Sequence, residues 1–288
     1  MDVTMWILAM TSMRHSDSGN LFWRASECLR EADPMAKCQL TEELVQALHD
    51  NELSLDTQSL PEAPFEPGRP VQPLLVPPRD LPRRRLSSDH GRASLLHALA
   101  HIEFNAISLA LDAVVRFRGL PVRYYRDWSA VAGEEAQHFR LLRGRLHDLG
   151  HAYGDFPAHN GLWQMAMQTR HNPLHRMALV PRVLEARGLD VMPAMIQRFE
   201  TVQDQTSAEV LRIILRDEIG HVRVGTRWYR YLCGQWDLDP DKTFLELVRQ
   251  YMQGGVRGPF NRSARSSAGF TAAELDRLEE LAASTQRG

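Results

Sequence analysis

Cysteine is scarce in this sequence. The 288 residues include only Cys28, Cys38 and Cys233, an odd number with no Cys-x-x-Cys pair. That argues against a disulfide framework and against a thiolate metal site. Lysine is scarcer still, with Lys37 and Lys242 the only two, so arginine carries nearly all the positive charge. A formal net charge of -2 gives no electrostatic reason to expect a nucleic-acid or membrane partner, and "PRRRLSS" at 82–88 is the only dense basic run. Near the start, "VTMWILAM" is too short to span a bilayer and lacks the charged leader and cleavage pattern of a secretory signal. A cytoplasmic protein is expected. The first twenty residues, with Met5, Met10 and Met13 as alternative starts, are expected to be a disordered leader. Period-two alternation is missing throughout, which leaves no candidate strand.

Helical periodicity is abundant. Residues 21–60 read as two short helices, with a break at Asp33-Pro34 and a second start at Thr41 and Glu43. The stretch 61–87 is a proline-rich strap: "PEAPFEPGRPVQPLLVPPRDLP" holds eight of the sixteen prolines, and its Leu74, Leu75 and Val76 are suited to docking on a neighbouring surface.

Four long helices follow within 88–236. The first runs from Ser88 or Asp89 to about Arg118, stopped by Gly119 and Pro121, and the second from about Pro121 to Leu149, closed by Gly150. The third covers roughly 162–202, with kinks or breaks expected at Pro173, Pro181, Gly188 and Pro193. The fourth starts after Asp204 and ends near Cys233 and Gly234. Residues 237–288 add short helices near 241–253 and 271–283 around an irregular "GGVRGPFNRSARSSAG". The expected fold is all-α, a four-helix bundle with additional N- and C-terminal helices.

Two of the long helices carry charge where apolar residues belong. Glu-x-x-His occurs as Glu135 to His138 in "GEEAQH" and as Glu218 to His221 in "RDEIGH". Each pair interrupts a stripe at helical spacing: Trp128, Val131, Glu135, His138, Leu142, Leu149 in the second helix, and Leu211, Ile214, Glu218, His221, Val224, Trp228 in the fourth. Residues i and i+3 lie about 60° apart, so both side chains of a pair point into the same space. A buried carboxylate needs a partner there. The other two helices each place one acid in an apolar stripe: Glu103 among Leu99, Ile102, Ala106 and Ala110, and Glu185 after Ala178 and Pro181. The spacing repeats, 32 residues from Glu103 to Glu135 and 33 from Glu185 to Glu218. Each hairpin therefore carries one Glu and then Glu-x-x-His.

Either pair alone reads as a solvated helical pair, and a core glutamate can be satisfied by arginine. All six together read as the ligand set of a dinuclear iron or manganese centre, because carboxylates neutralise and bridge two cations while imidazoles suit iron. Zinc and magnesium fit this set less well. The metal ligands expected are Glu103, Glu135, His138, Glu185, Glu218 and His221, with Glu135 and Glu218 also assigned catalytic roles and two iron ions, or manganese with iron, as cofactor. His97 and His101 lie on another face of the first helix and read as surface residues or as supports for the ligands. Glu134 and Asp217 read as salt-bridge or hydrogen-bond partners, or as contacts to the ligand histidines. Tyr124, Tyr125, Trp128, Tyr153, Trp228 and Tyr231 read as core, with a redox role as the alternative.

The stretches "HALAHIEFNAISLALDA", "EEAQHFRLLRGRLHDLGHAYGDFPAHNGLW", "MALVPRVLEARGLDV" and "ILRDEIGHV" resemble the family catalogued as domain of unknown function 455 (DUF455), of the ferritin-like superfamily. The likeness covers most of residues 90–235, and the helical stretch at 21–50 and "VRGPFN" also look familial. The superfamily includes ferritins, manganese catalases, rubrerythrins and a di-iron tRNA hydroxylase. The resemblance implies metal at the same six positions. The expected function is a di-iron oxidoreductase that uses O2 or peroxide to oxidise or hydroxylate a small-molecule substrate, with room for an external electron donor and a homodimer. The alternatives are a tRNA-modifying di-iron hydroxylase, an iron-handling or peroxide-detoxifying protein, and a bundle retained as a scaffold.

Overall fold

The computed structural model describes residues 19–57, 60–81, 86–252 and 255–285, so the expected leader at 1–18 and the basic core of "PRRRLSS" at 82–85 lie outside the described residues. The described residues are all-α and contain no strand, only two isolated bridges, Asn20 with Ser54 and Leu75 with Ala158. The helices are α1 (Leu21–Arg30), α2 (Pro34–His49), α3 (Asp89–Arg116), α4 (Val122–Asp148), α5 (Gly161–Gln168), α6 (Pro173–Leu179), α7 (Ala186–Thr201), α8 (Gln205–Gln235), α9 (Pro240–Tyr251), α10 (Arg262–Ser267) and α11 (Ala272–Thr285). A π-helical segment, Val180–Glu185, joins α6 to α7.

Short polar side chains start many of these helices. Asn20, Asp33, Asn172, Asp204, Asp239 and Asn261 each accept a hydrogen bond from a backbone N–H of the first turn, which satisfies donors the helix itself cannot. Gly119 and Gly150, at φ 72° and 74°, follow the ends of α3 and α4 in the left-handed conformation that glycine tolerates best.

Four boundary expectations need correction. Thr41 does not start a helix. It lies inside α2, where its hydroxyl donates to the carbonyl of Lys37 at 2.7 Å, because Asp33 and Pro34 already supply cap and first turn. Gly188 and Pro193 do not break α7, and Gly234 lies within α8 rather than ending it. Part of the stretch expected to be irregular forms α10, capped by Asn261.

The chain divides by internal contact into two compact units, Met1–Leu74 with Ala100–Arg140, and Leu75–Leu99 with Leu141–Gly288. In the first, α1 and α2 pack through Leu21, Phe22, Ala25, Leu29, Leu44 and Leu48, all buried. The strap is tied down by its backbone: Arg116 and Arg118 donate to the carbonyls of Pro64 and Pro61 at 2.8 and 2.7 Å, and Gly68 N–H donates to Leu29 O at 2.8 Å. Lys37, fully buried, donates to Leu29 O, Gly68 O and Ser108 Oγ at 3.1, 2.8 and 3.0 Å. The strap is thus held in part by arginine and lysine donors that satisfy its carbonyls.

In the second unit α8 packs along α7, α6 and the π segment. Val76 N–H donates to Ala158 O at 2.8 Å, whereas Leu74 is 62% exposed, so docking falls to Leu75 and Val76. The C-terminal helices attach through two buried ion pairs, Arg182 with Glu274 and Arg265 with Asp190.

Among the described residues one helix, α3, is long and apolar enough to cross a membrane by length and composition, and 89% of its apolar window is buried inside the protein.

Candidate metal centre

The stripes inferred from spacing are buried faces for most of their length. Trp128, Val131, Leu142, Leu211, Ile214 and Trp228 are buried alongside the four residues of the two Glu-x-x-His pairs, while Leu149 and Val224 at the stripe ends are half-buried. Ile102 departs from expectation: it is 39% exposed although Leu99, Ala106 and Ala110 are buried.

On α4 the Glu135 and His138 side chains meet, with His138 Nδ1 at 3.3 Å from Glu135 Oε2. Glu103 of α3 completes this group, its Oε2 lying 3.5 Å from the same nitrogen. All three residues are 1% exposed. Burial alone disfavours a charged imidazole, but hydrogen bonds to Glu103 and Glu135 and the charge of both carboxylates outweigh it and push His138 up to about 11. The single acid and the Glu-x-x-His pair of the first hairpin therefore converge as the spacing implied.

On α8 Glu218 and His221 are 6% and 1% exposed, with His221 Nδ1 at 3.6 Å from Glu218 Oε1. Glu135, His138, Glu218 and His221 each offer one ligand atom, and these four atoms lie within 4.8 Å of one another. This buried Glu-His-Glu-His cluster can hold a metal ion. Its donor set suits one: two carboxylates and two imidazoles are buried together, and the proton that the neighbouring glutamates favour on His138 occupies a place a cation would take. Glu103 stands against His138 and outside that group of four. Glu185 is half-buried at the last position of the π segment and is likewise outside it.

His97 and His101 are corrected. They are not surface residues, being 0% and 6% exposed. His97 Nε2 accepts the N–H of Gly154 at 2.9 Å and its ring stacks on Tyr153 at 5.3 Å, while the His101 ring meets Asn105 Nδ2 at 3.0 Å. A signal was in the sequence: in "HALAHIEFNAISLALDA" the polar residues are scattered among apolar ones and form no continuous polar stripe, which is the pattern of a helix buried on most sides. Asp217 pairs with Arg216 at 2.8 Å, as a salt-bridge partner should. Glu134 is exposed. Tyr124, Tyr125, Trp128 and Trp228 are core, and Tyr153 and Tyr231 are half-buried. The three cysteines are free and buried.

A family model described as "Protein of unknown function (DUF455)" matches residues 30–276. A protein of Haemophilus influenzae described as "Uncharacterized protein" is 44% identical over 271 residues, covering 90% of this chain and 94% of its own length. No solved structure matches the chain.

Proposed function

The chain belongs to the DUF455 family, and from that premise and its own residues we propose a ferritin-like four-helix bundle that works as a non-haem di-iron, or manganese/iron, carboxylate oxidoreductase. Glu103, Glu135, His138, Glu185, Glu218 and His221 hold the two ions. When bound, such a pair supplies the Lewis acidity and the electrons with which O2 or peroxide is reduced while a small substrate is oxidised or hydroxylated.

The observation that carries this reading is the buried cluster itself, four ligand atoms from two Glu-x-x-His pairs within 4.8 Å. Glu135 and Glu218 anchor it from α4 and α8 and are the residues given catalytic roles. Glu103 and Glu135 favour the protonated form of His138; as a ligand it would have to give that proton up, so cation uptake would be coupled to proton release. Glu103, Glu135 and His138 are each 1% exposed, and exclusion of water strengthens every charge interaction among them.

An external electron donor and a cytoplasmic location go with this reading, the latter supported by the three free cysteines. No observation among the described residues favours the tRNA-modifying or iron-handling alternatives.

The test is metal content and optical spectrum after expression in iron-supplemented medium. Stoichiometric iron or manganese is expected, lost in folded Glu185→Ala and Glu218→Ala variants. A folded wild-type chain that cannot be loaded overturns the proposal.

A further inference from the structure

Arg182 is fully buried, and so is Glu274, its partner on α11. The guanidinium sits inside three aromatic rings, 4.6 Å from the centroid of Tyr229, 4.1 Å from Phe244 and 4.5 Å from Phe270. Its Nη2 donates to Glu274 Oε1, while Nε and Nη1 have no hydrogen-bond acceptor among the described residues. Glu274 has a second duty. Its Oε2 accepts the N–H of Thr271 at 2.8 Å and its own N–H donates to Thr271 Oγ1 at 3.0 Å, a capping box that starts α11.

Such a pair is a poor source of stability. Removing two charges from water costs about as much as their attraction returns, and two buried donors are left over. A buried ion pair that stabilises little can still specify geometry. Here the geometry concerns the π segment Val180–Glu185, which contains Arg182 and ends on Glu185.

Pro181 explains the segment's winding. It has no N–H, and in an α-helix its ring would strike the carbonyl four residues back; a wider turn relieves both. The wider turn also changes which way side chains point. Each residue of a π-helix advances by less than the roughly 100° of an α-helix, so three steps fall further short of a full turn than the about 60° that separates i from i+3 in an α-helix. Arg182 and Glu185 are thereby spread apart around the axis, which lets Arg182 enter the C-terminal aromatic cage while Glu185 takes another direction. Winding of this kind holds only if both ends are pinned. Pro181 is pinned against α8, where a Cβ on Gly225 would lie 2.4 Å from its ring carbons, and Ala186, just after Glu185, gives its carbonyl to Arg265 at 3.3 Å.

We propose that Arg182 and Glu274 are a positioning pair, by which α11 fixes the π segment and so aims the Glu185 carboxylate at the metal centre. The inference rests on the metal reading given above. Neither residue touches the ions.

The test uses Mn2+ as the probe, with the full chain and with Arg182→Met/Glu274→Gln, in which glutamine keeps the capping box. The double variant is expected to unfold at a temperature close to wild type yet to bind Mn2+ at least tenfold more weakly, with an altered Mn2+ electron paramagnetic resonance line shape. If the double variant does not fold, Arg182→Met alone, which removes the buried charge and leaves Glu274 to Arg230 and to its cap, carries the same expectation for Mn2+ affinity. Leu21→Ala, which opens the core between α1 and α2, should lower stability and leave Mn2+ affinity unchanged. Wild-type affinity in a folded Arg182→Met or double variant overturns the proposal, and so does an equal loss of affinity in Leu21→Ala, which would make general loosening the cause. A wild-type chain that binds neither Mn2+ nor Fe2+ overturns this inference and the metal reading together.

Discussion

Gly225 and Pro181 touch so closely that no side chain fits between them: a Cβ on Gly225 would lie 2.4 Å from both Cβ and Cγ of the proline. Gly225 is one turn beyond His221 on α8, and Pro181 lies in the π segment that ends at Glu185, so one contact bears on two candidate ligands. Gly225→Ala must push the π segment outward, at a cost of about 1–3 kcal/mol for overpacking. Denaturant unfolding should register that loss, and metal titration should show weakened binding. A variant with unchanged stability and affinity would mean that the segment yields freely.

Gly68, within the strap, makes the same kind of contact with the end of α1. A Cβ there would lie 2.0 Å from the carbonyl oxygen of Arg30, a backbone atom that cannot swing aside. Gly68→Ala is expected to displace the strap, breaking the bonds from Gly68 N–H to Leu29 and from Lys37 to Gly68 O, and to cost about 2 kcal/mol or more. Limited proteolysis within residues 61–77 should accelerate relative to wild type. Unchanged cleavage would count against the strap being docked there.

Lys37 sets a pH dependence. Burial, opposed by the charges of Cys28, Cys38 and Glu31, lowers its amine to about 7, well under the value near 10.5 of the unfolded chain. Between those values the folded chain binds fewer protons than the unfolded one, so stability rises with pH; the penalty is fully present below about 7 and is relieved towards 10.5. The neighbouring thiols act oppositely and later, because burial raises Cys28 and Cys38 to about 12 and about 11, so their contribution falls only above the usual thiol range. The window from about pH 7 to about 8, below the unfolded thiols' own range at about 8.5, therefore isolates the lysine. Chemical denaturation across it should show stability increasing in wild type, with a flatter profile in Lys37→Met. Parallel profiles would place the lysine charge elsewhere.

Much of this was legible in the sequence, and for local reasons. Glycine, proline and short polar caps mark helix ends through backbone geometry, which is why Asp33-Pro34, Gly119, Gly150 and Asp204 gave boundaries close to those observed. The Glu-x-x-His pairs were legible because helical periodicity converts spacing into direction, so Glu135, His138, Glu218 and His221 could be placed on buried faces from their neighbours alone. What escaped depends on tertiary surroundings. Pro193 leaves α7 unbroken and Pro181 widens its turn into a π segment, a difference that the proline itself does not encode. Nothing near Arg182, in "VPRVLE", signals that a charged residue fills an aromatic cage assembled from α8, α9 and the turn before α11. The surface alternative for His97 and His101 fails because facing away from Glu103 does not mean facing water on a helix packed on most sides.

The His138 proton links the ligands to solution conditions. Because Glu103 and Glu135 favour the protonated form of His138, a cation bound by that ring is expected to displace a proton. Mixing Fe2+ or Mn2+ with the chain in weak buffer at neutral pH should acidify the solution, and the effect should diminish in His138→Gln. Metal binding without proton release would contradict this coupling.

The most direct measurement is anomalous scattering from a crystal grown with iron, collected on both sides of the iron edge. The account predicts two iron peaks per chain, ligated by Glu103, Glu135, His138, Glu185, Glu218 and His221. Iron bound at other residues, or a well-ordered crystal with no iron among these six, would contradict it.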